Sequence, residues 1–357
     1  MHVWSGMSHP TLVGSMPHKD PEKAIELILQ AVPTIPAWPQ LAAFRAEQMM
    51  VQYLEGLPGV DCRSDRILVG LHEPQFDDEV LRFYEEYLEV EAGTRELESS
   101  RFAMGPDSGR TFYRFLEVLS TRAQECFAVK GQVVGPFTLL AGLKDEGDRL
   151  ALYDEKMQDV VAKHLAMKAR WQVRQLKRLD CPVILFLDEP ALAGFGSSAF
   201  ISVSRELVDG VLREVIDAVH MEGGLAGIHV CANTEWMIAF QSGVDIINFD
   251  AYSYFDRFSL YGEALAQFVG KGGNIAWGLV PTGDHDCIRE ETAGHLVDQW
   301  LENVKTITTP SMTVDRLLRQ SLFTPSCGCG SLPEALAERV LHLTREVGAI
   351  MQGHLHS

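Results

Sequence analysis

The stretch Val183-Ile184-Leu185-Phe186-Leu187-Asp188-Glu189-Pro190 is an unbroken apolar run that ends in two carboxylates and a proline. After an amphipathic segment over Ser204–Met221, a second run follows: Leu225-Ala226-Gly227-Ile228-His229-Val230-Cys231. Apolar runs without alternation suit strands buried on both faces, and a helix-length spacer between them suits a parallel crossover. The same unit recurs outward from this pair. Thr11–Gly14 and Phe127–Gly135 lie before it, and Val244–Phe249, Ile275–Val280 and Leu322–Pro325 lie after it. An eighth strand is expected near Val32–Leu41, where three prolines interrupt the pattern.

Helical periodicity fills the gaps. Pro21–Leu29 opens with Asp20 before Pro21, an N-cap followed by a first-turn proline. Further helices are expected over Asp78–Glu98, Leu150–Leu179, Thr234–Ser242, Ser259–Val269, Asp284–Val304 and Pro333–Met351. Strands alternating with helices in this way predict an α/β protein. Its form is a single (β/α)8 TIM-type barrel, with 1–357 as one catalytic domain and helical insertions at 40–110 and 136–182. An open doubly wound sheet is the alternative, but no G-x-G-x-x-G follows the first strand.

Composition narrows the function. Of 357 residues, 46% are apolar and 22% charged, the mix of an ordinary globular chain rather than a disordered one. A net charge of −18 argues against nucleic acid as a main partner, since phosphate binding needs clustered Lys and Arg. No apolar run reaches the roughly 18 residues of a membrane span, and no basic amphipathic helix suits a membrane surface. The N-terminal residues lack the basic and apolar regions of a secretory signal. Seven scattered cysteines, an odd number, fit the reduced thiols of a cytoplasmic protein.

In such a barrel the chemistry sits at the C-terminal ends of the strands. Those ends read Gly14-Ser15-Met16-Pro17, Asp188-Glu189-Pro190, His229-Val230-Cys231, Phe249-Asp250 and Ser326-Cys327-Gly328-Cys329. His229 and Cys231 stand two apart on one strand and so share a face. Cys327 ends the last strand at the same mouth, and Asp250 ends the strand that follows theirs. One imidazole, two thiolates and a carboxylate make a four-coordinate Zn²⁺ site. Cys329 is the alternative ligand, or a redox partner of Cys327; Cys327 is preferred because it lies nearer the strand. Cys62, Cys126, Cys181 and Cys287 show no partner pattern and read as structural. Such a donor set leaves the zinc electron-rich. It suits deprotonating a bound substrate thiol better than making hydroxide, which points to thiol alkylation rather than hydrolysis.

Taken together, Gly14-Ser15-Met16-Pro17, Lys130-Gly131-Gln132-Val133-Val134-Gly135-Pro136, Asp188-Glu189-Pro190-Ala191-Leu192, His229-Val230-Cys231 and Ser326-Cys327-Gly328 resemble the catalytic barrel of cobalamin-independent methionine synthase. The likeness runs from about Val13 to Leu332. Uroporphyrinogen decarboxylases and coenzyme M methyltransferases look like more distant relatives. The resemblance implies that His229, Cys231 and Cys327 ligate zinc, with Asp250 standing where the family has a glutamate. It implies that Ser15 binds an amino acid carboxylate and Asp188 its ammonium. Ser15 otherwise serves only its turn, and Asp188 or Glu189 otherwise pairs with an arginine or caps a helix. Glu73 is a weak match to a second ammonium-binding glutamate. Trp38 and Trp277 read as core. The full-length enzyme has two barrels that share the folate, whereas this chain has length for one. The expectation is therefore methyl transfer to the thiol of homocysteine or a similar small thiol, from a methylcorrinoid donor, free or on a corrinoid protein. The rivals are another thiol such as coenzyme M, a metal-independent decarboxylase, and a non-catalytic zinc or corrinoid-partner protein.

Overall fold

The computed structural model describes residues 4–60, 67–121 and 126–355. The strands in chain order are β1 (His9–Pro10), β2 (Ser15–Met16), β3 (Gln40–Leu41), β4 (Val129–Val134), β5 (Val183–Asp188), β6 (Leu225–Val230), β7 (Ile246–Phe249), β8 (Asn274–Val280) and β9 (Ser321–Pro325). Seven of them form one parallel sheet in the order β1-β9-β8-β7-β6-β5-β4, so the first strand pairs with the last. A second parallel pair joins β2 to β3. Ala37, just before β3, bridges in parallel to Lys130 on β4 and closes the ring as a TIM-type barrel.

The closure explains a departure from expectation. Thr11–Gly14 was expected as the first strand, yet the regular pieces β1 and β2 lie on either side of it. Gly14 has φ +138°, outside the extended region open to other residues, and a Cβ there would meet the Gln132 amide at 2.7 Å. Pro33, Pro36 and Pro39 offer no N–H to a ladder. Side chains take over the missing bonds. Lys130 Nζ donates to the Val13 carbonyl at 2.6 Å, Thr11 Oγ1 to the Ile35 carbonyl at 2.9 Å, and Gln132 Nε2 to the Trp38 carbonyl at 3.1 Å.

Lys130 is fully buried inside the barrel, its ammonium 4.4 Å from the centre of the Phe186 ring. Burial pushes it down to about 8, with the Asp188 charge opposing the shift. Lys130→Met leaves the Val13 carbonyl without its donor, an expected loss of about 1–3 kcal/mol. Urea unfolding checks this; an unchanged midpoint would show that the join holds without the lysine.

The barrel interior is layered. Ile35, Ala128, Ile184, Phe186, Ile246 and Ala276 form an apolar plug. Further along the strands the inward positions turn polar, and Asp188, His229 and Asn248 stand side by side by register across β5, β6 and β7. The outward positions, such as Leu185, Ile228 and Ile247, join the strand–helix core. Burial of both faces is why these strands read as continuous apolar runs.

The long helix Glu155–Leu176 lies in the 136–182 segment, capped by Asp154, which accepts from the Met157 N–H at 2.9 Å. It is the crossover between β4 and β5, so of that segment only Pro136–Gly142 and short turns are additions. Asp284–Val304 divides into His285–Glu290 and Ala293–Ile307, because Thr292 is extended and its hydroxyl caps the second helix at the His295 N–H. The expected Asp78–Glu98 helix spans Phe76–Glu91, and Gly93 follows at φ +70°. Among the described residues no helix is long and apolar enough to cross a membrane.

Candidate metal centre

The C-terminal end of β6 points His229 inward, and the chain carries Cys231 one residue beyond the strand. Cys327 follows β9 after Ser326. One ligand atom from each of His229, Cys231 and Cys327 lies within 4.8 Å of the others.

A residue that sequence reasoning missed orients the imidazole. Asn248 Nδ2 donates to the Ala276 carbonyl at 2.7 Å and to Thr324 Oγ1 at 2.9 Å. Its oxygen therefore faces His229 Nδ1, 2.6 Å away, and accepts the proton there. The lone pair is left on Nε2, which is buried with no hydrogen-bond partner. A buried imidazole lone pair aimed at two thiols fits a metal ligand held by an outer-shell amide. Asn248 carried one faint signal, its place two residues before Asp250 in the apolar run that leads to it. Cys231 is pushed down, mainly by its contact with Cys327 and then by its contact with His229. Cys327 is pushed up by the same contact. Asn248→Leu is expected to weaken zinc binding about 10–100-fold without removing a ligand. Competition with a chromophoric chelator measures this; unchanged affinity would make Asn248 a packing residue only.

The remaining expected residues fall in distinct places. Asp250 is the N-cap of the helix Ala251–Ser259, and its Oδ1 accepts from the Ser253 N–H at 2.8 Å. It stands outside the tight three-residue group, although its carboxyl, pushed up by burial, also feels the charges of Cys231 and His229. Asp188 is buried with Oδ1 unpartnered, and burial pushes it up to about 6 against the pull of His229 and Lys130. Glu189 is engaged elsewhere. It accepts from the Phe137 N–H at 2.9 Å, the Thr138 N–H at 2.8 Å and Thr138 Oγ1 at 2.6 Å, closing the N-terminus of Pro136–Gly142. A Cβ on Gly135 would lie 2.0 Å from the Glu189 carboxyl carbon, so that approach requires glycine. The Asp-Glu pair thus divides into one free carboxylate and one helix cap.

Ser15 binds the Cys-Gly-Cys-Gly loop. Its carbonyl accepts from the Cys329 N–H at 2.9 Å and its hydroxyl oxygen from the Gly330 N–H at 3.2 Å. A Cβ on Gly328 would fall 2.0 Å from that hydroxyl. The Ser15 O–H remains a donor. Cys329 is buried in the core, pushed up to about 12 by desolvation, and lies outside the three-residue group. Glu73 is exposed in a turn. Trp38 and Trp277 are fully buried, donating to Gln172 Oε1 at 3.2 Å and Ser321 Oγ at 2.8 Å. Cys62 lies outside the described residues.

A second cluster, His18 with Glu334 and Glu338, also has metal-ligand atom types. Lys23 Nζ already lies 3.2 Å from Glu334 and 2.8 Å from Glu338, so these carboxylates have their cation.

No family model matches the chain. No curated protein matches its sequence. The fold does have solved counterparts. A protein assigned as a vitamin-B12-independent methionine synthase from Listeria monocytogenes aligns at TM-score 0.53 and 14% identity, covering 94% of this chain and 85% of that one. A methyltransferase from Methanosarcina mazei aligns at TM-score 0.54 and 10% identity, covering 96% of this chain and 87% of that one. At these identities the likeness is one of fold. The roles of the clustered residues therefore rest on their own chemistry.

Proposed function

We propose that this chain is a zinc-dependent methyltransferase that methylates the thiol of homocysteine or a similar small thiol. The observation that carries the reading is the buried, unpartnered Nε2 of His229, held by Asn248 and facing Cys231 and Cys327. These three residues would hold the ion, with Asp250 at the rim as a fourth donor that gives way to substrate. Bound zinc supplies Lewis-acid stabilisation of a substrate thiolate at neutral pH. The methyltransferase fold of the Methanosarcina mazei protein supports the reaction class.

The chain's own residues would position the amino acid. The unpartnered oxygen of Asp188 suits an ammonium, and the free O–H of Ser15 suits a carboxylate. Lys130, buried beneath Asp188, tempers its negative charge. The substrate sulfur attacks the donor's methyl carbon, and the bond to the leaving group breaks with its electron pair staying on the leaving group.

We place a methylcorrinoid, free or protein-bound, as donor. A folate methyl leaves as an amine that must be protonated and held in line, which demands close positioning. Reduced cobalt leaves readily without such help. Steady-state turnover of homocysteine with methylcobalamin and with methyl-tetrahydrofolate tests this. Turnover with the corrinoid is expected. Turnover with folate alone would overturn the donor assignment, and turnover only with coenzyme M would overturn the acceptor.

A further inference from the structure

A second thiol pair lies at the opposite end of the barrel from the metal centre. Cys126 precedes β4 and Cys181 precedes β5. The two strands are in register from their first residues, Val129 opposite Val183, and the Val129 N–H donates to the Pro182 carbonyl at 2.9 Å. That register brings the two lead-in segments together at the N-terminal rim. There the Cys126 and Cys181 thiols lie near enough to bias each other's ionisation. Both cysteines are free and half-buried, and both pack against the core edge, so solvent reaches them while the backbone holds them in place. Neither belongs to the metal group.

We propose that Cys126 and Cys181 form a redox dithiol that closes to a disulfide by exchange with a small-molecule disulfide. The nucleophile is Cys126. The contact with Cys181 pushes its thiol down toward the thiolate. Cys181 is pushed up by the same contact, and further by burial and the neighbouring Asp180, so it stays a thiol until Cys126 has reacted. The Cys126 thiolate attacks one sulfur of the small disulfide. A mixed disulfide forms, and one small thiolate leaves and takes a proton. Cys181 then loses its proton, attacks the Cys126 sulfur and expels the second small thiolate, which takes that proton. Two protein thiols are oxidised and one small disulfide is reduced to two thiols. The bond would join the N-terminal ends of β4 and β5 and enclose the crossover helix Glu155–Leu176 in a covalent loop.

The test uses the full, zinc-loaded chain, so that Cys231 and Cys327 are occupied. The protein is equilibrated with oxidised glutathione at neutral pH, alkylated, digested and mapped by mass. The expected product is a linked peptide pair joining Cys126 to Cys181, two hydrogens lighter than the reduced pair, while Cys287 remains alkylatable. In Cys181→Ser a single glutathionyl adduct should accumulate on Cys126, because no thiol remains to resolve it. Absence of the linked pair, with Cys126 and Cys181 alkylating as independently as Cys287, would overturn the proposal. An adduct on Cys181 in Cys126→Ser that forms as fast as the Cys126 adduct in Cys181→Ser would overturn the order of attack. Both readouts are mass measurements, so they are independent of methyl transfer.

Discussion

Zinc falls from about one ion per chain to near none in His229→Ala and in Cys327→Ser, while Cys329→Ser keeps it; this is the expected result for a single tetrahedral site. The physical reason is that three protein donors converge on one point. His229 Nε2 has no hydrogen-bond partner, and Cys231 is held toward its thiolate by Cys327. Removing one of these donors leaves the protein ligand set incomplete. Methyl transfer to homocysteine should fall about 10³-fold or more, since Lewis-acid stabilisation is worth several kcal/mol and each 1.36 kcal/mol is tenfold. Elemental analysis of the purified variants, followed by the assay, decides it. Full zinc in Cys327→Ser with loss in Cys329→Ser would move the ligand to Cys329 and contradict the geometry.

The two adjacent carboxylates should respond in opposite ways. Asp188→Asn is expected to weaken homocysteine about 100-fold, because a charge-assisted contact to a buried carboxylate is worth roughly 2–5 kcal/mol. A thiol lacking the ammonium should be nearly unaffected. Equal loss for both thiols would make Asp188 structural. Glu189→Ala should instead destabilise the fold by about 3–5 kcal/mol, since removing a buried charge partner strands what it served. Here those are the Phe137 N–H, the Thr138 N–H and the Thr138 hydroxyl. Glu189→Gln, which keeps the shape and one carbonyl acceptor, should cost less. Urea unfolding separates these outcomes from the binding assay. If Glu189→Ala unfolds at the wild-type midpoint and loses substrate binding, the division of roles is reversed.

The position of the candidate site was largely written in local pattern. Runs such as Val183–Leu187 are apolar on every residue because each faces either the barrel interior or a helix, and Asp188 enters where the interior becomes the mouth. That is why His229, Cys231, Cys327 and Asp188 could be singled out as strand-end residues. Two-residue periodicity also placed His229 and Cys231 on one face without reference to any other strand. What pattern could not supply was any relation across strands. The first strand was misplaced because its bonds are divided between scattered backbone contacts and the side chains of Thr11 and Lys130, which leave no periodic trace. Asn248 orients His229 only because the register of β6 and β7 sets them opposite each other. Glu189 was separated from Asp188 by a helix N-terminus about fifty residues earlier in the chain. Cys126 and Cys181 read as isolated thiols, and it is the pairing of β4 with β5 that brings their sulfurs together. Sequence by itself determined that most of the strands are buried on both faces and which residues end them, because burial and side-chain alternation are local properties of the chain. Only the tertiary structure decided which of those residues meet, because partnership across strands is set by register and ring closure, and these depend on contacts between residues far apart in the chain.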